Sequence, residues 1–129
     1  MITRALSVLC LLFAFNTSVY AFGLGNIEVK SSLNEPFEAT IELTGAVDFD
    51  ESQVIARLGS NADFERMGIT RESVLLQLQF EPELKSNPPA IVIRSSTPIR
   101  EPVLDFVLSV QSPKGQIMKE FTVFLNPAK

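Results

Sequence analysis

The sequence predicts an all-β protein: an immunoglobulin-like β-sandwich of about seven strands with one short helix. Three observations carry that prediction. Apolar and polar residues alternate with period two along much of residues 22–129, the mark of half-buried strands. Clusters of Pro, Asn, Ser and Gly interrupt the alternation at short intervals, as turns between strands do. Of 129 residues, 46% are hydrophobic and 20% charged, which suits one domain with a packed core.

Taken in order, Ile27 and Val29 alternate with Glu28 and Lys30 and open the series. Phe37, Ala39, Ile41 and Leu43 oppose Glu38, Thr40, Glu42 and Thr44, the cleanest half-buried strand in the chain. Val54, Ala56 and Leu58 flank Ile55 and Arg57. Val74, Leu76, Leu78 and Phe80 are expected on one face of a fourth strand, with Gln77, Gln79 and Glu81 on the other. Ile91 and Ile93 lie in a β-branched run. Leu104, Phe106, Leu108 and Val110 oppose Asp105, Ser109 and Gln111, and Phe121, Val123 and Leu125 make the last strand.

The breaks agree with these strands. Asn34-Glu35-Pro36, Ser86-Asn87-Pro88-Pro89 and Arg100-Glu101-Pro102 mark turns or strand edges. Ser112-Pro113-Lys114-Gly115 predicts a type I turn that joins the last two strands as a hairpin. One short helix is expected over residues 62–67, with Asn61 as N-cap and Gly68 ending it. Phe64 and Met67 on that helix are expected to cover one end of the core. The paired cysteines and buried Trp of antibody domains are missing, so the match is to the architecture alone.

Residues 1–21 read as a secretory signal peptide. Arg4 supplies the positive start, and Val19-Tyr20-Ala21 supplies compact residues at −3 and −1 for cleavage after Ala21. The apolar run of residues 5–15 is too short to cross a hydrocarbon layer of about 30 Å at about 1.5 Å per residue. Cys10 lies inside that run, which excludes a lipoprotein cleavage site. Residues 22–129 would then form a single exported domain without Cys, His, Tyr or Trp and with no membrane span. Such a domain is held together by core packing, since no disulfide is available.

Composition excludes several function classes. The absence of histidine, with one cysteine, rules out Cys/His zinc sites and histidine-based triads. A net charge of −4 with dispersed basic residues argues against nucleic-acid binding. Asp48-Phe49-Asp50-Glu51 is the tightest acidic cluster, but Ser52 and Gln53 stand where a calcium loop needs a ligand and a glycine. It reads as a solvated loop. Gly23-Leu24-Gly25 starts like a phosphate loop, yet Glu28 occupies the third glycine position. Paired carboxylates for sugar hydrolysis lack the Trp or Tyr on which a sugar ring stacks. Neither catalytic residues nor a cofactor is expected. Arg94, Arg100, Glu101 and Lys119 are the candidate partner interface, in or beside strands, with Glu120 nearby. The alternative for these charges is a solvated face or the guarding of an edge strand.

Several blocks of the chain carry a family resemblance. Gly23-Leu24-Gly25-Asn26-Ile27 follows the signal, and Lys30-Ser31-Ser32-Leu33-Asn34-Glu35-Pro36-Phe37 runs into Ala39-Thr40-Ile41-Glu42-Leu43. Ile93-Arg94-Ser95-Ser96-Thr97-Pro98-Ile99-Arg100-Glu101-Pro102 leads to Leu104-Asp105-Phe106. Pro113-Lys114-Gly115-Gln116 leads to Lys119-Glu120-Phe121-Thr122-Val123-Phe124-Leu125-Asn126-Pro127. In that order, over nearly all of residues 22–129, the blocks resemble the N-terminal periplasmic domain of the FimV/TspA family. The resemblance implies a noncatalytic role at the inner-membrane and peptidoglycan layer of a Gram-negative envelope. It implies support of type IV pilus assembly, secretin multimerisation and twitching motility, with secretin or pilus-assembly components as partners. The 129 residues hold no LysM module, and Val110-Gln111-Ser112-Pro113 lacks the family's usual aromatic. Peptidoglycan binding is therefore not carried over. The alternative is a chaperone-like or adhesin-associated sandwich that binds exported subunits by edge-strand addition; against it, no basic anchor pair marks a cleft.

Overall fold

The computed structural model describes residues 22–46 and 49–127. The expected signal peptide and Asp48 of the acidic cluster lie outside the described residues. Seven strands alternate along the chain: β1 (Gly23–Val29), β2 (Pro36–Thr44), β3 (Ile55–Leu58), β4 (Gln79–Glu83), β5 (Ala90–Pro98), β6 (Val103–Ser112) and β7 (Gly115–Phe124). One helix, α1 (Asn61–Met67), follows β3. Strands β1-β2-β5-β4 form one antiparallel sheet and β3-β6-β7 the other. Four strands against three in this order is the constant-type immunoglobulin arrangement. The expected architecture is the observed one.

Alternation explains the layers. In β2 the side chains of Phe37, Ala39, Ile41 and Leu43 are buried, while Glu38 and Glu42 are exposed. Leu104, Phe106, Leu108 and Val110 of β6 meet them from the opposite sheet, with Phe121 and Val123 of β7. Phe106 stacks on Phe121 with ring centroids 5.8 Å apart and lies 6.0 Å from Phe80. Such aromatic pairs add to the burial of apolar area that drives the fold. The last hairpin turns at Pro113-Lys114, with Ser112 opposite Gly115. The Ser112 hydroxyl accepts from the Lys114 N–H at 3.1 Å.

Three local expectations are corrected. Residues 74–77 are not strand: Ser73–Gln77 is a 3₁₀ helix, and β4 begins only at Gln79. Leu75 and Leu78 are the buried pair, and Leu76 is 65% exposed. A spacing of three matches a 3₁₀ turn, and the N–H of Leu78 donates to the Leu75 carbonyl at 3.1 Å. The helix N-cap is Ser60 rather than Asn61. The Ser60 hydroxyl accepts from the Asp63 N–H at 3.2 Å, and the Asp63 carboxylate accepts from the Ser60 N–H at 2.9 Å. This reciprocal pairing is a capping box with Asp in the third position. Gly68 ends the helix with φ 71, the left-handed conformation that glycine adopts without strain. Phe64 is buried as expected, but Met67 is 42% exposed and covers no core.

Candidate functional site

The four residues singled out by sequence do not share one surface. Arg94 lies on β5, an interior strand of the four-stranded sheet, opposite Glu38 of β2 and Gln79 of β4. Its guanidinium stands 3.8 Å from a Glu81 carboxylate oxygen and 3.9 Å from one of Glu83. By register, Glu28, Glu38, Glu42, Glu81 and Glu83 share this outer face. Arg94 is therefore a cation within an acidic surface, in exposed ion pairs that contribute little each. Beside it Val92, only 4% exposed, lies in a depression of about 510 Å³ bordered by Glu28, Glu42, Glu83 and Lys30.

Arg100 and Glu101 do come together, at the corner where the chain leaves β5 for β6. Register slips here: Pro36 pairs with Pro98 and Glu38 with Arg94, so Phe37 faces three residues of β5. Ser95 makes this bulge possible. Its buried hydroxyl accepts from the Phe37 N–H at 2.8 Å and donates to the Thr97 carbonyl at 2.7 Å. Beyond it Ile99 is fully buried, and its backbone exchanges hydrogen bonds with Glu35 and Asn34. Asn34 takes φ 68, a left-handed value that asparagine tolerates in turns. With Ile99 anchored, Arg100 and Glu101 border a depression of about 400 Å³ together with Val74, Gln77, Thr97 and Pro98. The Thr97 hydroxyl donates to the Gln77 side chain across it.

Lys119 points the other way. It belongs to the inward-facing set of β7, opposite Leu108, and is half-buried. Its Nζ lies 3.4 Å from the carbonyl oxygens of both Leu24 and Gly25 on β1 and 5.2 Å from the centre of the Phe121 ring. Those carbonyls belong to a bulge where Gly25 and Asn26 together oppose Glu42. A Cβ on Gly25 would come within 3.2 Å of the Glu42 Cβ, so glycine permits the close approach. Lys119 thus ties the edge of one sheet to the edge of the other.

On the opposite side of β7, Glu120 faces outward near Asp105 of β6. The hydrogen bond with Asp105, desolvation and the Asp105 charge hold the Glu120 carboxyl above its ordinary value. Among the described residues, no group of three or more His, Cys, Asp or Glu could hold a metal ion. Every buried polar side-chain atom among them has a hydrogen-bond partner. No helix of the described residues is long and apolar enough to cross a membrane. The arrangement presents charged outer surfaces, with Arg94 among glutamates on one sheet and Arg100 and Glu101 at one corner. Sequence reasoning missed Ser95, whose hydroxyl is legible only once the register is known. It also missed Phe124, which occupies an outward position of β7 next to inward Val123 and was detectable by parity.

Comparison with known proteins adds the following. Residues 22–128 match the model of the FimV N-terminal domain, described as an Ig-like domain. The chain is 38% identical over 109 residues to the motility hub protein FimV of Pseudomonas aeruginosa, from each of two strains. Each alignment covers 84% of this chain and 12% of the relative, so the chain spans only a small part of the length of these relatives. No solved structure matches the chain.

Proposed function

Because the chain belongs to the FimV N-terminal domain family, we propose that it is a noncatalytic docking module of the motility apparatus, acting in the periplasm on type IV pilus assembly and twitching. The observation that carries this reading is the family match over residues 22–128, whose relatives are motility hub proteins. A signal peptide at residues 1–21 would deliver the domain across the inner membrane. Its partners would be envelope proteins, with secretin and pilus-assembly components the leading candidates. Docking without turnover fits a surface whose side chains are positioned by buried anchors. The Arg100–Glu101 corner is one such place, held by Ile99 and Ser95. The acidic outer face around Arg94 is the other. We assign Lys119 a positioning role at the sheet seam.

Strand addition, the route of the chaperone-like alternative, has one long edge strand open to it, β7 with ten residues, and finds little purchase on the other three. Edge strand β3 has four residues, edge strand β4 carries Pro82, and the Lys119 ammonium lies against two carbonyls of edge strand β1. The test is crosslinking of the tagged protein in living cells, followed by purification and mass spectrometry. Enrichment of secretin or pilus-alignment proteins is expected, and Arg100→Ala with Glu101→Ala should reduce it. Enrichment of exported subunits alone, or of nothing specific, would overturn the reading.

A further inference from the structure

The outer face of the β3-β6-β7 sheet carries a feature unlike the rest of the surface. Val103 of β6 and Phe124 of β7 are direct cross-strand neighbours, 44% and 69% exposed. Outward positions of a solvated sheet ordinarily hold polar residues. Next along the same face come Asp105 with Thr122, then Glu120 opposite Val107. Strand β3 pairs only with residues 108–111 of β6, so the segment after the helix flanks the start of β6 instead. Between them lies a depression of about 320 Å³, lined by Gly68, Ile69, Thr70, Glu72, Val103 and Asp105. Phe124, Val103 and Ile69 thus supply apolar surface, and Glu72, Asp105 and Glu120 supply carboxylates beside it.

Among the described residues, no ion pair joins a cation to these carboxylates. The ion pairs among the described residues join Arg66 to Asp63 and Arg94 to Glu81 and Glu83. Asp105 instead accepts from the Thr122 hydroxyl at 3.2 Å, and its neighbouring charge helps hold the Glu120 carboxyl above its ordinary value. Residues 125–127 lead away from the patch. The Leu125 N–H donates to the Pro102 carbonyl, and the Asn126 carbonyl accepts from Leu33, which carries the chain to the β1–β2 loop.

Resting on the docking-module reading, we propose that the outer face at Phe124, Val103 and Ile69 docks a partner segment that presents an apolar side chain flanked by lysine or arginine. An exposed aromatic is the usual anchor of such a contact. Complementary charge sets its orientation and encounter rate. A second copy of this chain fits poorly, since it brings the same carboxylates face to face. An acidic partner meets the same repulsion. A cation beside an apolar side chain buries Phe124 and supplies a counter-charge together.

Amide NMR shifts of the labelled protein, titrated with two synthetic peptides at low ionic strength, test this. One peptide alternates Leu with Lys, the other Leu with Glu. The Leu-Lys peptide is expected to move the amides of Val103, Asp105, Glu120 and Phe124, and the Leu-Glu peptide to leave them in place. Phe124→Ser, and separately Asp105→Asn with Glu120→Gln, should each weaken the response at least about fivefold while keeping the dispersed spectrum of the parent. Four results would overturn the proposal: no response, an equal response to both peptides, shifts centred on Glu28, Glu42 and Glu83 of the other sheet, or movement of the same amides with protein concentration alone. The last would identify a second copy as the occupant. The readout is binding, so its failure leaves the motility role standing, and failure of the motility role leaves this result unchanged.

Discussion

Ser95 shows how much one hydroxyl does in this chain. It bridges the Phe37 N–H and the Thr97 carbonyl at 6% exposure, where water cannot replace it. Ser95→Ala should cost about 1–3 kcal/mol, the penalty for leaving buried backbone groups unsatisfied. A lower urea midpoint at unchanged slope would register it. Asp63 offers a pH-dependent counterpart. The Ser60 N–H, then the Ser60 hydroxyl and Arg66, hold its carboxyl below the ordinary 3.8. The capping box therefore contributes fully above pH 3.8 and is lost as pH falls through the folded pKa. Asp63→Asn should flatten the acid limb of a stability–pH curve, and an unchanged limb would contradict the assignment.

Glu120 has the opposite sign. Its folded pKa lies above the ordinary 4.5, so the folded state binds the proton more tightly than the unfolded chain. Stability contributed by this proton is present below pH 4.5 and lost as pH rises through the folded pKa. Glu120→Gln removes that dependence. Its advantage over the parent should grow across this window and level off above it, read from urea midpoints at pH steps between about 4 and 8.

At the scale of elements, the strands were legible and their ends were not. Period two placed Phe37, Ala39, Ile41 and Leu43 on the core face because each faces one environment throughout. The stretch from Val74 to Phe80 also alternates on paper, yet its burial follows Leu75 and Leu78. A short apolar run fits a strand and a 3₁₀ turn equally, and tertiary packing decides between them. The helix start moved by one residue because Ser60 and Asp63 cap reciprocally, a pairing that outcompetes Asn61. Sequence could place charges in strands but could not rank the faces they share. Arg94 and Lys119 lie in adjacent blocks of the same reading, yet one faces solvent among glutamates and the other faces the seam. Lys119→Glu sets a carboxylate against the Leu24 and Gly25 carbonyls and should destabilise by about 1–3 kcal/mol. Lys119→Met, which keeps a flexible side chain over Phe121, should cost less. Urea unfolding of both variants checks the order, and equal losses would contradict the seam role.

For the whole molecule, the two sheets bury one continuous core and leave faces of different character. One outer face is acidic around Arg94, one corner presents Arg100 and Glu101, and the other outer face sets Phe124 and Val103 beside carboxylates. Under the proposed docking role, twitching should survive loss of any single carboxylate and fail when a docking face is rebuilt. The most direct test is deletion of the gene in its own bacterium, with the twitching zone measured before and after complementation by the intact chain. A smaller zone that the intact chain restores is the predicted result. A zone unchanged by the deletion would contradict the account.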